Sequence, residues 1–476
     1  MKTYLIILSL LTFNLNSKDT KITTKPTKKK EKAAKSSSRL FYKKAVKHYR
    51  NKNYNLSLYF LFSLIKKNNG VSKKENKLLT RLLSQTGTLP LYLYDPGLLE
   101  KINNPYISLH LAGHYFKKKD YQKTMAYASS VPESNKFYPE ARLIIGSTLQ
   151  LEGDPKFKTY LKQCIKSAHK KSSGVFAKKF KLYYDLIKEN CQINYARELY
   201  AKDKYARSNA IYTEIPKTAF SWPYLLLEKA WNYYKLKDYN RSLGLLMTYE
   251  SPLLSSYFLP ESEILKALNY YNLCLYNDTA ILIEKFFKVY KNRSMNLRGF
   301  VKKHKDAEYY FNFIDKRLNK NISNPYVKSL KNQLKKKLKI NLHYGSYRKT
   351  RKEYQRLKAK GASKRDLEFL EFTMKKMRQR IGRHVQEYFY YFINQINFVA
   401  SEMFNIRLEV ISRKKDLLYN DKTLVAKRAR GSFKNVNRDS DEFFYTFQGA
   451  FWADELGDYS FGLKSNCKEV EKNNKE

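Results

Sequence analysis

Apolar residues recur along this chain at helical spacing, and clear alternating apolar and polar runs, which would indicate strands, are not found. A more specific pattern stands out between Tyr195 and Tyr290: a small residue is followed nine positions later by Tyr, and three positions after that by Ser or Thr. The complete copies along the chain are Ala45/Tyr54/Ser57, Ala112/Tyr121/Thr124, Ala196/Tyr205/Ser208, Ala230/Tyr239/Ser242 and Ala267/Tyr276/Thr279. A weaker copy contains Gly146 and Pro155. The pattern predicts a row of helix hairpins.

The spacing has a physical reason. Two helices of a hairpin approach closely only where their side chains are small, so the two small positions mark the crossing point and the Tyr covers it. A proline stands seven positions before the small residue in four copies, at Pro105, Pro139, Pro223 and Pro260. Proline is tolerated in the first turn of a helix, where its missing N–H is not needed. The prolines therefore mark the start of the first helix of each hairpin.

The repeat period identifies a family resemblance. Corresponding positions lie 34 residues apart from Tyr121 to Pro155 and from Tyr205 to Tyr239, and 37 apart from Tyr239 to Tyr276. Residues 39–295 therefore resemble the tetratricopeptide (TPR) repeat family, whose repeats have this period. The resemblance implies an all-α solenoid of helix hairpins with a concave face for a peptide or protein.

The repeats are degenerate. The Gly-Asp pair of the family's turn is present only as Gly153-Asp154, and Lys44, Lys229 and Lys266 replace an apolar residue in three copies. The family's groove lies on the first helix of each hairpin. In the best copy the resemblance implies the groove residues Tyr224, Leu227, Trp231, Tyr234 and Lys235, with Trp231 and Tyr234 as aromatic anchors. Alternatively, these aromatic side chains pack on the next repeat.

A basic helical region follows the repeats. Gly361 interrupts it, and a long helix is predicted from about Ser363 to Tyr419. Its apolar residues step by three and four in a coiled-coil-like stripe, formed by Leu370, Met374, Met377, Ile381, Val385, Tyr388, Phe392, Ile396, Val399 and Met403. The stripe can pair with the helix before Gly361, fold back on the array, or dimerise. We expect it to pack within the chain.

The end of the chain is rich in aromatic residues and carries an acidic cluster. Trp452, Asp454, Glu455 and Tyr459 are candidates for a contact module that docks on the array or meets a partner. Alternatively, the tail packs on the long helix. The run 451–457 also resembles the ends of exported TPR proteins from predatory or gliding bacteria.

The first seventeen residues have the order of a secretory signal peptide: Lys2, an apolar run, and the small Ser17. We therefore expect an exported protein, periplasmic or associated with an outer membrane. An oxidising compartment permits disulfides. The cysteines are Cys164, Cys191, Cys274 and Cys467. Three pairings are possible: Cys164 with Cys191 is the nearest pair, a bridge from Cys274 to Cys467 would tie the tail to the array, and free buried thiols are a further alternative.

The predicted segments follow from these patterns. They are a signal peptide at 1–17, a basic disordered linker at 18–38, the TPR-like array at 39–295, the basic helical region with its long helix at 296–419, a linker at 420–442, the aromatic and acidic motif at 443–467 and a disordered tail at 468–476.

The charge of the chain bears on its partners. It contains 93 Lys and Arg against 43 Asp and Glu, a net charge of +50 that favours anionic polymers or membrane surfaces. The excess is spread along the whole chain. This distribution also fits a protein in which Lys is simply the usual surface residue, without a focused binding patch. Export argues against nucleic acid. A protein or peptide partner in the envelope is the first hypothesis, binding of anionic polymer the second, and the oligomeric state stays open.

Motifs for catalysis are not found. The chain has no GxSxG motif, phosphate-binding loop or dinucleotide fingerprint, and no Cys/His spacing that suits zinc. His110 and His114 share a helix face, but no Glu lies between them and no third ligand is evident, so we expect them on the surface of a repeat. We therefore expect a binding protein without cofactor rather than an enzyme.

Overall fold

A computed structural model describes residues 28–173, 177–219, 221–254, 257, 259–315, 327, 330–331, 333–334, 338–419, 439, 441–445 and 451–467. These residues confirm the all-α class. Their helices are α1 (Lys28–Arg50), α2 (Tyr54–Asn68), α3 (Lys73–Thr86), α4 (Pro96–Glu100), α5 (Pro105–Lys117), α6 (Tyr121–Ser129), α7 (Tyr138–Leu151), α8 (Phe157–Ser172), α9 (Ala177–Ala201), α10 (Tyr205–Thr213), α11 (Trp222–Lys235), α12 (Tyr239–Met247), α13 (Glu261–Asn272), α14 (Tyr276–Lys303), α15 (Ala307–Ile314), α16 (Leu338–Ala359) and α17 (Lys364–Tyr419). Two short strands, β1 (Phe443–Phe444) and β2 (Tyr459–Ser460), pair in parallel.

Each copy of the small/Tyr/small pattern forms a helix pair, and its small residues are buried at the crossing. In three copies the Ser hydroxyl donates a hydrogen bond across the pair to the carbonyl oxygen of the Ala. The three bonds are Ser57 to Ala45 at 2.7 Å, Ser208 to Ala196 at 2.9 Å and Ser242 to Ala230 at 2.9 Å. A small side chain lets the helices approach, and its hydroxyl is satisfied where water is excluded.

The turns explain why the family's glycine is dispensable here. The residue two positions before the pattern's Tyr, or before Pro155, has a positive φ in every copy. These residues are Lys52, Lys119, Gly153, Asp203, Lys237 and Cys274. A non-glycine residue in this conformation costs about 1–2 kcal/mol, which a packed hairpin can offset. The turn geometry is therefore retained at five positions that have lost the glycine.

The prolines lie where the sequence places them. Pro105, Pro139 and Pro223 occupy the first turns of α5, α7 and α11, and Pro260 is the residue before α13.

The chain divides into two compact units, and their boundaries differ from the predicted ones. One unit comprises Met1–Asn194 with Asn341–Arg380, and the other comprises Tyr195–Ile340 with Ile381–Glu476. The array and the basic helical region are thus not separate bodies, because each unit combines repeat hairpins with part of the second half. The physical cause is the apolar stripe of α17, which is buried against repeat helices.

In the first unit, α16 and α17 pack on the first hairpin. Leu357 and Leu370 form a cluster with Leu56 of α2. The Glu353 carboxylate accepts hydrogen bonds from the backbone N–H groups of Asn55 and Leu56 at 3.1 and 3.2 Å, at the positive end of α2.

In the second unit, the later part of α17 packs on α13 and α14, where Val399, Met403 and Ile406 share a core with Ile264 and Ala267. The predicted packing of the stripe within the chain is therefore observed, both as a hairpin with α16 and against the repeats. The tail docks mainly on α12 and α13. Its Cys467 also packs on the core that Val399 and Met403 of α17 share with the repeats.

Two further expectations differ from the structure. Helix α1 begins at Lys28, inside the range 18–38 that was expected to be disordered. Residues 28–38 contain neither Gly nor Pro, and eight of the eleven are Lys, Ala or Glu, which favour helices. His110 is buried rather than on the surface, and its ring lies 4.4 Å from that of Tyr92. The segments 1–17, 18–27, 420–438 and 468–476 lie outside the described residues.

The structure pairs the cysteines as Cys164–Cys191 and Cys274–Cys467, so the free-thiol alternative is wrong. Across the described helices, no stretch is both long and apolar enough to cross a bilayer.

Candidate functional site

The predicted groove residues lie on α11, but they differ in what they can offer a partner. Leu227 is buried in the core beneath the helix. Tyr224 is half-buried, and its ring lies 5.6 Å from that of Tyr257. Lys235 is exposed at the end of α11. Of these three residues, only Lys235 is freely accessible.

Trp231 and Tyr234 connect α11 to the next repeat. The Trp231 indole N–H donates to Glu261 Oε1 at 3.0 Å, at the first turn of α13. The Tyr234 hydroxyl accepts a hydrogen bond from Asn272 Nδ2 at 3.0 Å, at the other end of the same helix. Their rings lie edge to face at 5.6 Å. The structure thus shows contacts to the next repeat, the alternative that the sequence left open, and both side chains stay only partly buried.

Helix α17 supplies further groups to this region. Burial raises the pKa of the Tyr391 hydroxyl, the negative charge of Glu261 raises it further, and Arg197 acts in the opposite direction. Tyr388 and Tyr391 are likewise electrostatic neighbours of Tyr224. The face that the resemblance assigns to a partner peptide is therefore approached by the chain's own long helix.

Sequence reasoning missed the polar ties between repeats. Asn232 Nδ2 donates to Ser208 Oγ at 3.1 Å, and Asn269 Nδ2 donates to Ser242 Oγ at 2.9 Å. Each Ser hydroxyl in turn donates to the Ala carbonyl of its own hairpin, so three successive helices are joined. A signal was present in the sequence: each of the two Asn residues stands two positions after the small residue of its helix.

The terminal motif docks on the repeats of the second unit. Tyr459, Phe461 and Leu463 are buried in one cluster with Leu243 of α12. The backbone N–H of Phe461 donates to the carbonyl oxygen of Asn240 at 3.1 Å. The Asn240 side chain completes the attachment. The Leu463 N–H donates to Asn240 Oδ1 at 2.9 Å, and Asn240 Nδ2 donates to the Leu463 carbonyl oxygen at 3.1 Å.

Close backbone approach makes this docking possible. A Cβ atom on Gly244 would lie 1.8 Å from the carbonyl oxygen of Tyr459, so only glycine fits at this position of α12. The disulfide from Cys467 to Cys274 then fastens the end of the tail to the turn between α13 and α14. Sequence reasoning did not single out Gly244, because the residue it contacts lies more than two hundred positions further along the chain.

The four candidates of the contact module separate into two groups. Tyr459 is buried and serves the docking. Glu455 is half-buried and forms a hydrogen bond with Tyr459. Trp452 is 64% exposed, and Asp454 is also exposed. Lys217 stabilises the turn that carries them. Its Nζ atom donates to the Asp454 carbonyl oxygen at 2.6 Å and to the Asp458 carboxylate at 2.5 Å.

A cleft of about 430 Å³ opens beside this turn. Trp222, Pro223 and Leu254 of the repeats and Ala453 and Leu456 of the tail contribute apolar lining. Leu253 lies at the same cleft and is 64% exposed. The cleft can therefore receive an apolar side chain. Within the described ranges, no three His, Cys, Asp or Glu side chains are grouped to hold a metal ion.

Comparison with known proteins adds little. No family model matches the chain, and no curated protein matches it. A crystal structure of the apo form of RapI is similar over 74% of this chain and 99% of that chain, with 12% identity and a TM-score of 0.33. A likeness of this size does not assign the chain to a family.

Proposed function

We propose that the protein is an exported helical-repeat scaffold that binds a protein partner in a bacterial envelope complex, such as one for motility, secretion or cell-wall assembly. Binding rather than catalysis is its role in this proposal. The terminal module supplies the contact, with Trp452 as the anchor beside the apolar cleft.

The observation that carries the proposal is the exposure of Trp452. The tail around it is fastened by a buried aromatic cluster, backbone hydrogen bonds and a disulfide, yet this large side chain is 64% exposed. Tail docking alone does not require an exposed Trp. A rigidly held exposed aromatic residue next to an apolar cleft has the character of an interface hot spot, because little conformational freedom is lost on binding.

Two observations support export. The first residues have the order of a signal peptide, and the cysteines of the described chain form disulfides, which persist in oxidising compartments. Binding of an anionic polymer, the second hypothesis from the sequence, concerns a different surface of the same unit.

The proposal is tested by replacing Trp452 with Ala and recovering partners from crosslinked envelopes of the organism that produces the protein. We expect one protein to be recovered by the native chain and lost with Trp452→Ala, because the anchor side chain is gone. In a parallel recovery without crosslinking, binding of this protein should persist from about 50 mM to about 500 mM salt, since apolar contacts are not screened.

The control replaces Phe372, which is 52% exposed on α17, with Ala. This change also removes an exposed aromatic ring, but at a position distant in sequence from the terminal module. It should leave recovery of the partner protein unchanged. Equal recovery with native protein and Trp452→Ala would refute the terminal module as the contact. Trp231→Ala and Tyr234→Ala test the groove instead, but both also break ties between repeats, so their folding must be checked first.

A further inference from the structure

A second cleft, of about 480 Å³, lies between α14 and α17 in the second unit. Three cations line one wall. Arg298 and Lys302 lie one turn apart on α14, and Lys305 follows in the segment after that helix. All three residues are exposed, so their charged groups face solvent at the cleft. The negative end of the α14 dipole lies at the same place and favours cations there.

The opposite wall is neutral. Gln386 and Tyr390 lie one turn apart on α17, and the Tyr390 side chain is 48% exposed. Val301 and Ile393 are buried and form the apolar floor. The two walls are therefore a row of cations and a polar, aromatic row, facing each other across an apolar base.

The walls are held in place by close contacts within the unit. A Cβ atom on Gly382 of α17 would lie 1.7 Å from the carbonyl oxygen of Ala307, so α17 approaches the start of α15 at backbone distance. Gln386 Nε2 donates to the carbonyl oxygen of Lys305 at 3.3 Å, which joins the two walls. The positions of the two walls are thus preorganised for a ligand.

The partners of these three cations decide whether a ligand can reach them. Arg298 donates to the neutral Asn397 Oδ1. Among the residues that the structure describes, no ion pair involves Arg298, Lys302 or Lys305, and none of the residues lining the cleft is Asp or Glu. A ligand that enters this cleft therefore meets three positive side chains that no acidic lining residue neutralises.

We propose that this cleft binds an anionic oligosaccharide. Arg298, Lys302 and Lys305 hold its acidic groups through charge-assisted hydrogen bonds. The Tyr390 ring stacks on the apolar face of a sugar, and the Gln386 amide bonds its hydroxyl groups. A concave site favours a chain that can enter it over a membrane, whose flat surface meets protruding residues. The site uses no residue of the terminal module, so its failure and that of the proposed function are separate.

The test measures binding of a galacturonic acid pentamer to the full chain by calorimetry, with maltopentaose as the neutral probe of the same length. We expect the acidic pentamer to bind and maltopentaose to bind at least tenfold more weakly. Lys302→Gln should weaken binding of the acidic pentamer by about fivefold, because an exposed charge pair contributes up to about 1 kcal/mol. Tyr390→Ala should weaken it by a similar factor.

Matched controls separate the site from the general charge of the chain. Lys303→Gln removes the same charge one position away from the cleft, and Phe398→Ala removes another exposed ring of α17. Both should leave the affinity for the acidic pentamer within twofold of native. The four variants change exposed side chains, and circular dichroism melting curves verify that they fold.

Four outcomes would overturn the proposal. They are equal binding of the two saccharides, equal losses with Lys302→Gln and Lys303→Gln, binding of phosphatidylglycerol vesicles with none of the acidic pentamer, and tighter binding of a thymidine oligonucleotide than of that pentamer. The third would indicate a membrane surface and the fourth a nucleic acid.

Discussion

At the scale of single residues, Glu261 occupies an unusual position. It lies in the first turn of α13, accepts the hydrogen bond of Trp231, and is partly buried. Burial raises its pKa from 4.5 to about 7; the hydrogen bond from Trp231 opposes the shift, and the nearby charge of Glu228 adds to it. The contact between two repeats therefore depends on a carboxyl group that titrates near neutral pH.

This pKa predicts how stability changes with pH. The folded state binds the Glu261 proton more tightly than the unfolded state, so between about pH 4.5 and 7 it holds more protons. The contribution of Glu261 to the free energy of unfolding should therefore fall as the pH rises through this window and level off above it. We expect a loss of about 1–3 kcal/mol from this group.

Urea unfolding of native protein and Glu261→Gln at pH 5 and pH 8 measures this contribution. The glutamine keeps an acceptor for Trp231 but does not titrate, so the fall should be smaller in the variant. Parallel pH dependence of the two proteins would contradict the raised pKa.

The groove residues illustrate what is predictable at this scale. The spacing of Trp231 and Tyr234 after Pro223 places both side chains on the first helix of the hairpin, and the structure agrees. Their partners, Glu261 and Asn272, belong to a different helix, and no local spacing indicates them. A sequence pattern thus locates the side chains, while the neighbouring repeat decides how much of them a partner can reach.

At the scale of elements, the attachment of the tail to α12 depends on one glycine. Gly244 allows the Tyr459 carbonyl oxygen to approach within a distance that any Cβ atom would block. Gly299 of α14, in contrast, has no atom within 4 Å of the position that a Cβ would take. Replacing each of these two helical glycines by Ala therefore compares a closely packed position with an open one.

Gly244→Ala should displace the tail and destabilise the second unit, because the added methyl group overlaps the backbone of β2. Gly299→Ala should stabilise the protein by roughly 0.5–1 kcal/mol, since alanine is the better helix former. Limited proteolysis of the tail and thermal unfolding measure both effects. A tail that resists protease equally in Gly244→Ala and in native protein would show that the close approach is not needed.

At the scale of the whole molecule, each compact unit contains its own disulfide. Cys164–Cys191 joins α8 to α9 across 27 positions in the first unit, and Cys274–Cys467 joins a repeat turn to the tail across 193 positions in the second. Loop closure removes entropy from the unfolded chain, by about 4 kcal/mol for the shorter loop and about 5 kcal/mol for the longer. Each unit is therefore stabilised by a separate covalent link.

Replacing one pair of cysteines by Ser should weaken its own unit first. Hydrogen exchange measured by mass spectrometry should rise in α8 and α9 for Cys164→Ser/Cys191→Ser. It should rise in α12, α13 and the tail for Cys274→Ser/Cys467→Ser. An identical exchange pattern in the two double variants would contradict the assignment of each bridge to its own unit.

Local patterns predict the paired helices of the repeats and their register, because small residues at the crossing and prolines at the helix starts act over distances of a few turns. The same local rules located the stripe of α17. The folded chain was needed to show what covers that stripe, how the cysteines pair, where the tail docks and which aromatic residues stay exposed. These features join segments that lie far apart in the chain, and they depend on complementary shape and charge, which no periodicity along the sequence records.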